Sequence, residues 1–182
     1  MLPAKTYLKN GDNLLIRRAT KGDEKRYAEM SSQMYLETRF MSRCEGDEFP
    51  SAESLGGFIE EVEFSDKEIL LLAVYHDTIV GSGAITACLN RAKMKHKCEL
   101  DISILKAYWH LGIGKALMST LIEFAQSAGY EQINLYVASD NEQAIRLYEK
   151  LGFQATGREV HAMKHADGDY SDWIFMTKFL HR

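Results

Sequence analysis

Apolar and polar positions repeat along the chain with two periods, one typical of strands and one typical of helices. Residues 69–75 are almost wholly apolar, as expected for a strand covered on both faces, and a polar turn at 76–78 leads into a second strand. This pair predicts an antiparallel hairpin. Residues 98–104 alternate with period two, which predicts a strand buried on one face. The other predicted strands are 14–19, 79–87, 133–137, 154–160 and 173–179, the last two around a polar loop at 165–170.

Helical spacing of apolar residues predicts four helices. The clearest one follows Gly112-Ile113-Gly114 and continues to Gly129, which stands in the usual C-cap position. Another is predicted at about 23–37, where Thr20 resembles an N-cap and Asp23 is an acid in the first turn. The remaining two lie near 52–62 and at about 141–151.

Length and charge narrow the class of protein. With 182 residues and no repeat or dividing linker, residues 1–182 are predicted to form a single α/β domain with its core at about 14–180. The net charge of -4 has the wrong sign for attraction to nucleic acid. No segment reaches the roughly 20 apolar residues of a membrane span, and no signal peptide is seen. The six histidines show no metal-ligand spacing. We therefore expect a cytoplasmic protein with no metal, nucleic-acid or membrane partner.

The most informative segment connects a predicted strand to a predicted helix. Its sequence is Trp109-His110-Leu111-Gly112-Ile113-Gly114. Glycines let the backbone approach a ligand closely, and the start of a helix favours an anion such as a pyrophosphate. A dinucleotide fingerprint would need a small residue in place of Leu117, and a P-loop would need Ser or Thr in place of Ala116. Both known patterns fail, and a purely structural role for the glycines stays open.

Two blocks of sequence resemble the GNAT N-acetyltransferases. ISILKAYWHLGIGKALM resembles their acetyl-CoA-binding segment, and NEQAIRLYEKLGF resembles their second signature. The blocks occur in family order, and a looser resemblance extends over residues 14–180. It implies a GNAT-like domain with a mixed, mostly antiparallel sheet flanked by helices. It also implies direct transfer of an acetyl group from acetyl-CoA to a primary amine of a small molecule, a polyamine or a peptide. One departure is Trp109, where the family has Gln or Arg.

The resemblance also assigns a donor site. It gives the strand edge at 102–104 to the pantetheine arm, the backbone of 110–115 to the phosphates, Asn141 to the pantetheine end and Tyr148 to the thioester sulfur. Positions 141, 144, 145 and 148 share one helix face, which agrees with this assignment. An N-cap role for Asn141 and a packing role for Tyr148 stay open. The predicted cofactor-binding residues are Ile102, Ser103, Ile104, Trp109, His110, Leu111, Gly112, Ile113, Gly114, Lys115, Asn141, Ala144 and Tyr148.

The implied reaction needs two proton transfers. An alkyl amine is mostly protonated at neutral pH, and the departing CoA thiolate is helped by a proton. Tyr148 is the predicted acid and Glu99 the predicted base, with Asp101 and Ser103 on the same strand face as Glu99. The alternative for Glu99 is a solvated surface carboxylate. Two residues near the C-terminus, Asp172 and His165, are further candidates whose position the sequence does not give.

The acceptor side gives weaker signals. Eight carboxylates occur between residues 45 and 66 with no Lys or Arg, and the resemblance implies that this stretch forms a wall of the acceptor cleft. The alternative is a solvated surface. On the first helix Met30, Met34 and Tyr35 are either core or acceptor-pocket residues. Two competing functions are a non-catalytic acyl-CoA-binding regulatory module, which the Trp109 departure permits, and a nucleotide-binding regulator. The resemblance and the C-terminal strands favour a homodimer.

Overall fold

A computed structural model describes residues 4–88 and 91–180 of the chain. Within these residues eight strands form one sheet, and four helices pack on its two faces. The strands are β1 (Ala4–Tyr7), β2 (Asn13–Arg18), β3 (Ile69–Tyr75), β4 (Thr78–Ala87), β5 (Lys97–Ile104), β6 (Gln132–Ala138), β7 (Gln154–Lys164) and β8 (Tyr170–Phe179). The helices are α1 (Glu24–Glu37), α2 (Ala52–Val62), α3 (Ile113–Ser127) and α4 (Glu142–Lys150).

The sheet is mixed and mostly antiparallel, as predicted. Its strand order is β1-β2-β3-β4-β5-β6-β8-β7, and every neighbouring pair is antiparallel except β5 and β6. The predicted hairpin is formed by β3 and β4, which are joined by His76 and Asp77 at φ values of 45° and 60°. Two central turn residues with positive φ match the twist of the flanking strands.

The two parallel strands separate after a short stretch of pairing. β5 pairs with β6 only from Lys97 to Glu99, opposite Gln132 to Asn134. β5 nevertheless continues to Ile104 alongside β4, and β6 continues to Ala138 alongside β8. In the described part of the chain no strand pairs with the inner edge of β5 beyond Glu99. The sheet therefore opens into a split between these two strands.

Each face of the sheet carries its own core. α3 and α4 pack on one face, where Leu117 and Leu121 of α3 are fully buried. α1 and α2 pack on the other face, where Met34 of α1 and Ile59 of α2 meet Leu72 of β3. Burying each such side chain contributes about 1.5–3 kcal/mol to stability. These two layers fix the sheet on both sides of the split.

The start of α1 differs from the prediction. Asp23, not Thr20, is the N-cap residue, and it makes no side-chain cap hydrogen bond. Its carboxylate instead accepts two hydrogen bonds of 2.7 Å from the guanidinium of Arg17 and one of 2.9 Å from the Thr20 N–H. Although its burial opposes ionisation, these hydrogen bonds and the positive charge of Arg17 lower the pKa of Asp23 overall. A charged pair between β2 and α1 thus takes the place of a cap.

The strands at the two ends of the chain also differ from the prediction. β1 has only four residues and no apolar run, so the periodicity gave no sign of it. β7 and β8 are longer than predicted and leave a shorter turn at 165–169, because their pairing continues towards the tip, with Met163 opposite Ser171 and Lys164 opposite Tyr170. No helix among the described residues is long and apolar enough to cross a membrane. Those residues also contain no group of three or more His, Cys, Asp or Glu side chains that could hold a metal ion.

Candidate active site

The glycine-containing loop predicted to bind phosphate connects β5 to α3. Gly112 is the N-cap of α3 and has φ of 100°, a left-handed conformation that would strain a side chain. A Cβ atom at Gly114 would lie 3.2 Å from Leu147 Cδ2 and 3.3 Å from Ile104 Cδ1, so this glycine lets the helix approach α4 and β5 closely. The first N–H groups of a helix have no partner within it. The loop therefore presents an anion-binding end to the groove beside it.

This loop, the end of β5 and one face of α4 line a groove of about 610 Å³. All residues predicted for the cofactor site line the groove except Leu111. The Leu111 carbonyl instead accepts a hydrogen bond of 3.1 Å from the N–H of Lys9, and its side chain packs against the core. The predicted residues along the groove are Ile102, Ser103, Ile104, Trp109, His110, Gly112, Ile113, Gly114, Lys115, Asn141, Ala144 and Tyr148.

The charges along the groove are all of one sign. Lys9, Lys115, Arg146 and Lys150 line it, and no Asp or Glu is among its described lining residues. This contrasts with the chain as a whole, whose net charge is -4. A cleft that collects positive charge on an acidic protein favours an anionic ligand and raises its local concentration.

Trp109 does not act as a substitute for the family's Gln or Arg at a ligand. Its indole N–H donates a hydrogen bond of 2.8 Å to the carbonyl of Ile104, the last residue of β5. Its ring stacks on Phe40 with a centroid distance of 6.4 Å. The side chain therefore ties the phosphate loop to the strand before it, and its polar atom is already used.

Asn141 is the N-cap of α4. Its Oδ1 accepts a hydrogen bond of 3.2 Å from the N–H of Ala144. The N-cap alternative for this residue is therefore confirmed. Asn141 also lines the groove, where its amide N–H groups can still donate to a ligand.

Tyr148 lies on α4 at the bottom of the groove and is only 7% exposed. Its ring packs near Phe153, at a centroid distance of 6.0 Å. Burial raises the pKa of the hydroxyl, and the negative charge of Asp101 raises it further. The hydroxyl is protonated at neutral pH, as an ordinary tyrosine with a pKa of about 10 also is, and its raised pKa makes it a weaker proton donor than an exposed tyrosine.

A smaller cavity of about 180 Å³ adjoins the groove at Met34, Met41, Ile102 and Ser103, which line both. Asp101 of β5 lies in this cavity, next to the split between the strands. Although its side chain still reaches solvent, the surrounding protein removes enough water to raise the pKa of the carboxyl. A raised pKa makes its carboxylate a better proton acceptor.

Glu99, the base predicted from the sequence, lines neither cavity. It lies where β5 is still paired on both sides, opposite Thr86 of β4 and Asn134 of β6. Glu99 and Asp101 share a face of β5, as predicted, but the strands separate only after Glu99. The structure therefore brings Asp101 rather than Glu99 to the small cavity, next to Ile102 and Ser103, which line both cavities.

Sequence reasoning missed most of the polar wall of the small cavity. Tyr27 of α1 lies there, and burial raises the pKa of its hydroxyl, although a hydrogen bond with Ser82 opposes the rise. Ser82 and Ser103 share a hydrogen bond of 3.0 Å between adjacent strands. Helical spacing from Met34 and Tyr35, which do line the cavity as anticipated, would have pointed to Tyr27 on the same helix face.

The candidates near the C-terminus do not reach either cavity. Asp172 accepts hydrogen bonds from Arg158 Nε at 2.5 Å and from the His161 N–H at 2.7 Å, and both lower its pKa. His165 shares a hydrogen bond of 2.7 Å between its Nε2 and the hydroxyl of Ser171. These contacts fix the β7–β8 hairpin and leave both side chains away from the groove.

The acidic stretch at 45–66 is not a wall of either cavity, so of the two alternatives the structure supports the solvated surface. None of its eight carboxylates lines the groove or the small cavity. Most of them are exposed on α2 or on the loop before it, because α2 turns Ile59 and Val62 inwards. Residues just before the stretch, including Phe40 and Met41, line the groove instead.

Comparisons with known proteins identify the family and the fold of this chain. The sequence model of the acetyltransferase (GNAT) family matches residues 34–153. A GNAT-family acetyltransferase structure from Streptococcus pneumoniae is 32% identical, covers 92% of this chain and 99% of its own, and superposes with a TM-score of 0.86. The structure of yncA from Salmonella typhimurium, solved with its cofactor acetyl-CoA, shares the fold at 22% identity, with coverage of 94% and 96% and a TM-score of 0.82.

Curated relatives match less of their own length. The spermidine N(1)-acetyltransferase of Escherichia coli K12 is 28% identical over 133 residues, which is 69% of each chain. Matches to three other relatives span only 33%, 21% and 47% of those proteins. The family model, however, covers more than half of this chain, and the pneumococcal structure covers nearly all of it. The chain therefore belongs to the acetyltransferase (GNAT) family, as its two sequence signatures predicted.

Proposed function

We propose that this protein transfers an acetyl group directly from acetyl-CoA to a primary amine. The observation that carries the proposal is that the groove and the small cavity meet at Ile102 and Ser103, where β5 and β6 separate. A donor in the groove and an amine in the small cavity would then react across the split, without an acyl-enzyme intermediate. Holding two reactants in this way is itself a large part of catalysis.

The groove supports acetyl-CoA as the donor. The N–H groups at the start of α3, from Gly112 to Lys115, would take the pyrophosphate, and the cations along the groove match its charge. The inner edge of β5 from Ile102 to Ile104, which no strand of the described chain covers, would hold the amide groups of the pantetheine arm, although the Ile104 carbonyl already accepts the Trp109 indole N–H. The thioester would then lie near Tyr148, with Asn141 and Ala144 beside it on α4.

We assign the two proton transfers to Asp101 and Tyr148. Asp101 would accept the proton of the ammonium group, so that the free amine forms the new C–N bond. As the C–S bond breaks, Tyr148 would give its proton to the departing sulfur, and the second proton that the nitrogen loses on becoming an amide would return to the Tyr148 oxygen. Glu99 was the base suggested by the sequence, and the position of Asp101 in the small cavity supports Asp101 in its place.

The small cavity supports a cationic acceptor. Asp101 supplies a negative charge, and Tyr27 and Tyr35 supply aromatic rings and hydroxyl groups. Both kinds of group attract an ammonium ion. The match over 69% of a spermidine N(1)-acetyltransferase points in the same direction. Small amines, polyamines and amines of peptides are thus the acceptors to test first.

Release of free CoA thiol from acetyl-CoA in the presence of a panel of amines tests the function. We expect acceptor-dependent release with at least one cationic amine. A protein that binds acetyl-CoA but releases no thiol with any polyamine, aminoglycoside, amino acid or peptide would instead be the non-catalytic acyl-CoA-binding module. A protein that responds to nucleotides and not to acetyl-CoA in thermal-shift measurements would be a nucleotide-binding regulator.

We also propose that the protein forms a homodimer. β7 is the last strand of the sheet, and its outer edge has no partner strand among the described residues. Val160 on β7 is 66% exposed and Phe179 on β8 is 58% exposed. Unpaired edges and exposed apolar side chains favour association. Light scattering would give twice the mass of the chain, and a monomer at micromolar concentration would contradict the dimer.

A further inference from the structure

The turn between β1 and β2 packs directly against the phosphate loop. The N–H of Lys9 donates a hydrogen bond of 3.1 Å to the carbonyl of Leu111. This turn lies before residue 34, where the match to the family model begins. Neither sequence signature of the family therefore includes Lys9, and we infer the role of this contact from the geometry of the turn and the loop.

Hydrogen bonds hold the turn in one shape. The Leu8 N–H donates to the Asp12 carbonyl and the Gly11 N–H donates to the Leu8 carbonyl, each at 2.9 Å. The Tyr75 hydroxyl donates to the carboxylate of Asp12. The Tyr75 ring also meets the edge of Tyr108 at a centroid distance of 5.8 Å, and Tyr108 immediately precedes the phosphate loop. The turn and the loop are thus fixed to each other from two sides.

The Lys9 side chain extends along the groove beside Gly112. It lines the groove, and a Cβ atom placed on Gly112 would lie 3.9 Å from Lys9 Cγ. Its ammonium group forms no hydrogen bond or ion pair with any described residue. Lys9 is exposed, so its ammonium group is free to reach a ligand; its backbone contact with Leu111 and its position beside Gly112 are what place it near an anion at this loop.

We propose that Lys9 binds the pyrophosphate of acetyl-CoA and supplies the side-chain contact that Trp109 does not make. The inference rests on the proposed placement of the donor in the groove. Trp109 uses its indole N–H on the Ile104 carbonyl, so residue 109 has no donor left for a phosphate. Lys9 lies at the same end of α3, beside Gly112, and would add a full positive charge to the helix N–H groups.

The position of Lys9 favours the pyrophosphate over the 3′-phosphate of CoA. Lys9 lies beside Gly112, the N-cap whose following amides would hold the pyrophosphate. Arg146 and Lys150 also line the groove, but they come from α4, and Arg146 pairs with Glu142 at 2.9 Å. The hairpin turn therefore contributes to binding one defined part of the ligand, the pyrophosphate.

The test measures the affinities of acetyl-CoA, dephospho-CoA and pantetheine by isothermal titration calorimetry. For Lys9→Gln we expect the affinity for acetyl-CoA and for dephospho-CoA to fall by about tenfold each, since both retain the pyrophosphate. Binding of pantetheine should not change. Lys9→Arg should keep the affinity within about threefold. Lys5→Gln, on the exposed strand of the same hairpin, is the matched control and should behave like the parent.

Each other outcome has a definite meaning. Unchanged affinity of Lys9→Gln for acetyl-CoA would overturn the role of Lys9. A loss seen with acetyl-CoA but absent with dephospho-CoA would assign Lys9 to the 3′-phosphate and overturn the proposed contact. Gly112→Val separates these results from a failure of the proposed function. If that variant binds acetyl-CoA as the parent does, the donor is not at this loop, and the placement itself is wrong.

Discussion

Tyr148 combines burial with access to the groove, and these two properties have different consequences for function. Burial and the nearby charge of Asp101 raise the pKa of its hydroxyl, which is protonated at neutral pH. Contact with the groove lets the hydroxyl reach a ligand. A packing role would need only the first property, so removal of the hydroxyl distinguishes the two roles.

We expect Tyr148→Phe to lower turnover by about 10²- to 10⁴-fold, because a general acid contributes that much. The affinity for acetyl-CoA should change by less than about threefold, since the ring stays in place. CoA-release kinetics and titration calorimetry measure the two quantities. Tyr130→Phe is the control, because Tyr130 is also buried but donates to the Lys67 carbonyl, outside the groove. Turnover close to that of the parent would leave Tyr148 as a packing residue.

Asp101 gives a prediction that depends on pH. Only its carboxylate can accept a proton, so kcat/KM should rise with pH through the pKa of Asp101, which the partial loss of water around this exposed carboxyl raises above its usual value. Asp101→Asn should remove this limb and lower kcat/KM by about 10²- to 10⁴-fold. Glu99→Gln is the matched comparison on the same strand face. If Glu99→Gln removes the limb and Asp101→Asn does not, the sequence-based hypothesis is right and our assignment is wrong.

The same shift predicts an effect on stability. A carboxyl whose pKa is raised by folding destabilises the folded protein as the pH increases above the unfolded value of about 3.9. Below that value the group is protonated in both states and the penalty is absent. We therefore expect Asp101→Asn to raise the melting temperature at pH 7 but not at pH 3.5. An equal change in melting temperature at both pH values would show that burial of the charge is not the cause.

Two carboxylates on β5 show the limit of sequence reasoning at the scale of the residue. Period-two alternation correctly placed Glu99 and Asp101 on one face of the strand. Which of them lies at the site depends on where β6 stops pairing, and that is set by contacts far along the chain. The role of Trp109 was hidden for a similar reason, because its partner is a backbone carbonyl that no side-chain pattern reveals.

At the scale of the element, the two ends of α3 share an unusual backbone conformation but differ in their relation to the groove. Gly112 before the helix and Gly129 after it both have positive φ, at 100° and 81°. A substitution at either position forces a side chain into the left-handed region, at a cost of about 1–3 kcal/mol. Only Gly112 lies in the groove. Comparing substitutions at these two glycines therefore separates the effect of backbone strain from the loss of the binding site.

We expect Gly112→Val to weaken acetyl-CoA binding by more than about tenfold, since a β-branched side chain would displace the N–H groups of the loop. Gly129→Val should lower stability to a similar degree and leave the affinity unchanged. Titration calorimetry and thermal unfolding give the two measurements. Equal affinities for the two variants would contradict the placement of the phosphates.

Long periodic elements were predictable, and short or exposed ones were not. α3 has a wide apolar face with Leu117 and Leu121 fully buried, so its spacing was unambiguous. β1 has four residues that alternate between half-buried and exposed, a pattern that occurs by chance in any loop. Yet β1 forms the hairpin that brings Lys9 to the groove. β1, the element that the sequence predicted least well, therefore contributes to the same groove as α3, the element that it predicted best.

At the scale of the whole molecule, positive and negative charges are concentrated on two different surfaces. The groove carries only cations, whereas the loop and α2 at 45–66 carry eight carboxylates. The loop approaches the small cavity through Tyr35, which stacks on Phe49 at 5.3 Å and accepts a hydrogen bond from Arg43 at 3.3 Å. Since the carboxylates line neither cavity, they can act on an acceptor only at a distance. Such an effect is screened beyond about 8 Å at physiological salt.

The loop should therefore affect how fast a cationic acceptor arrives and not how tightly it is held. We expect the double variant Glu45→Gln and Glu48→Gln to lower kcat/KM for a polyamine by about two- to fivefold at low ionic strength and not at all above about 0.5 M salt. The same substitutions at Glu53 and Glu61, on the exposed face of α2, should have a smaller effect. Steering requires attraction between opposite charges across the solvent. A kcat/KM that does not depend on salt, or a preference for neutral or anionic amines, would therefore mean that these carboxylates serve only as surface charge.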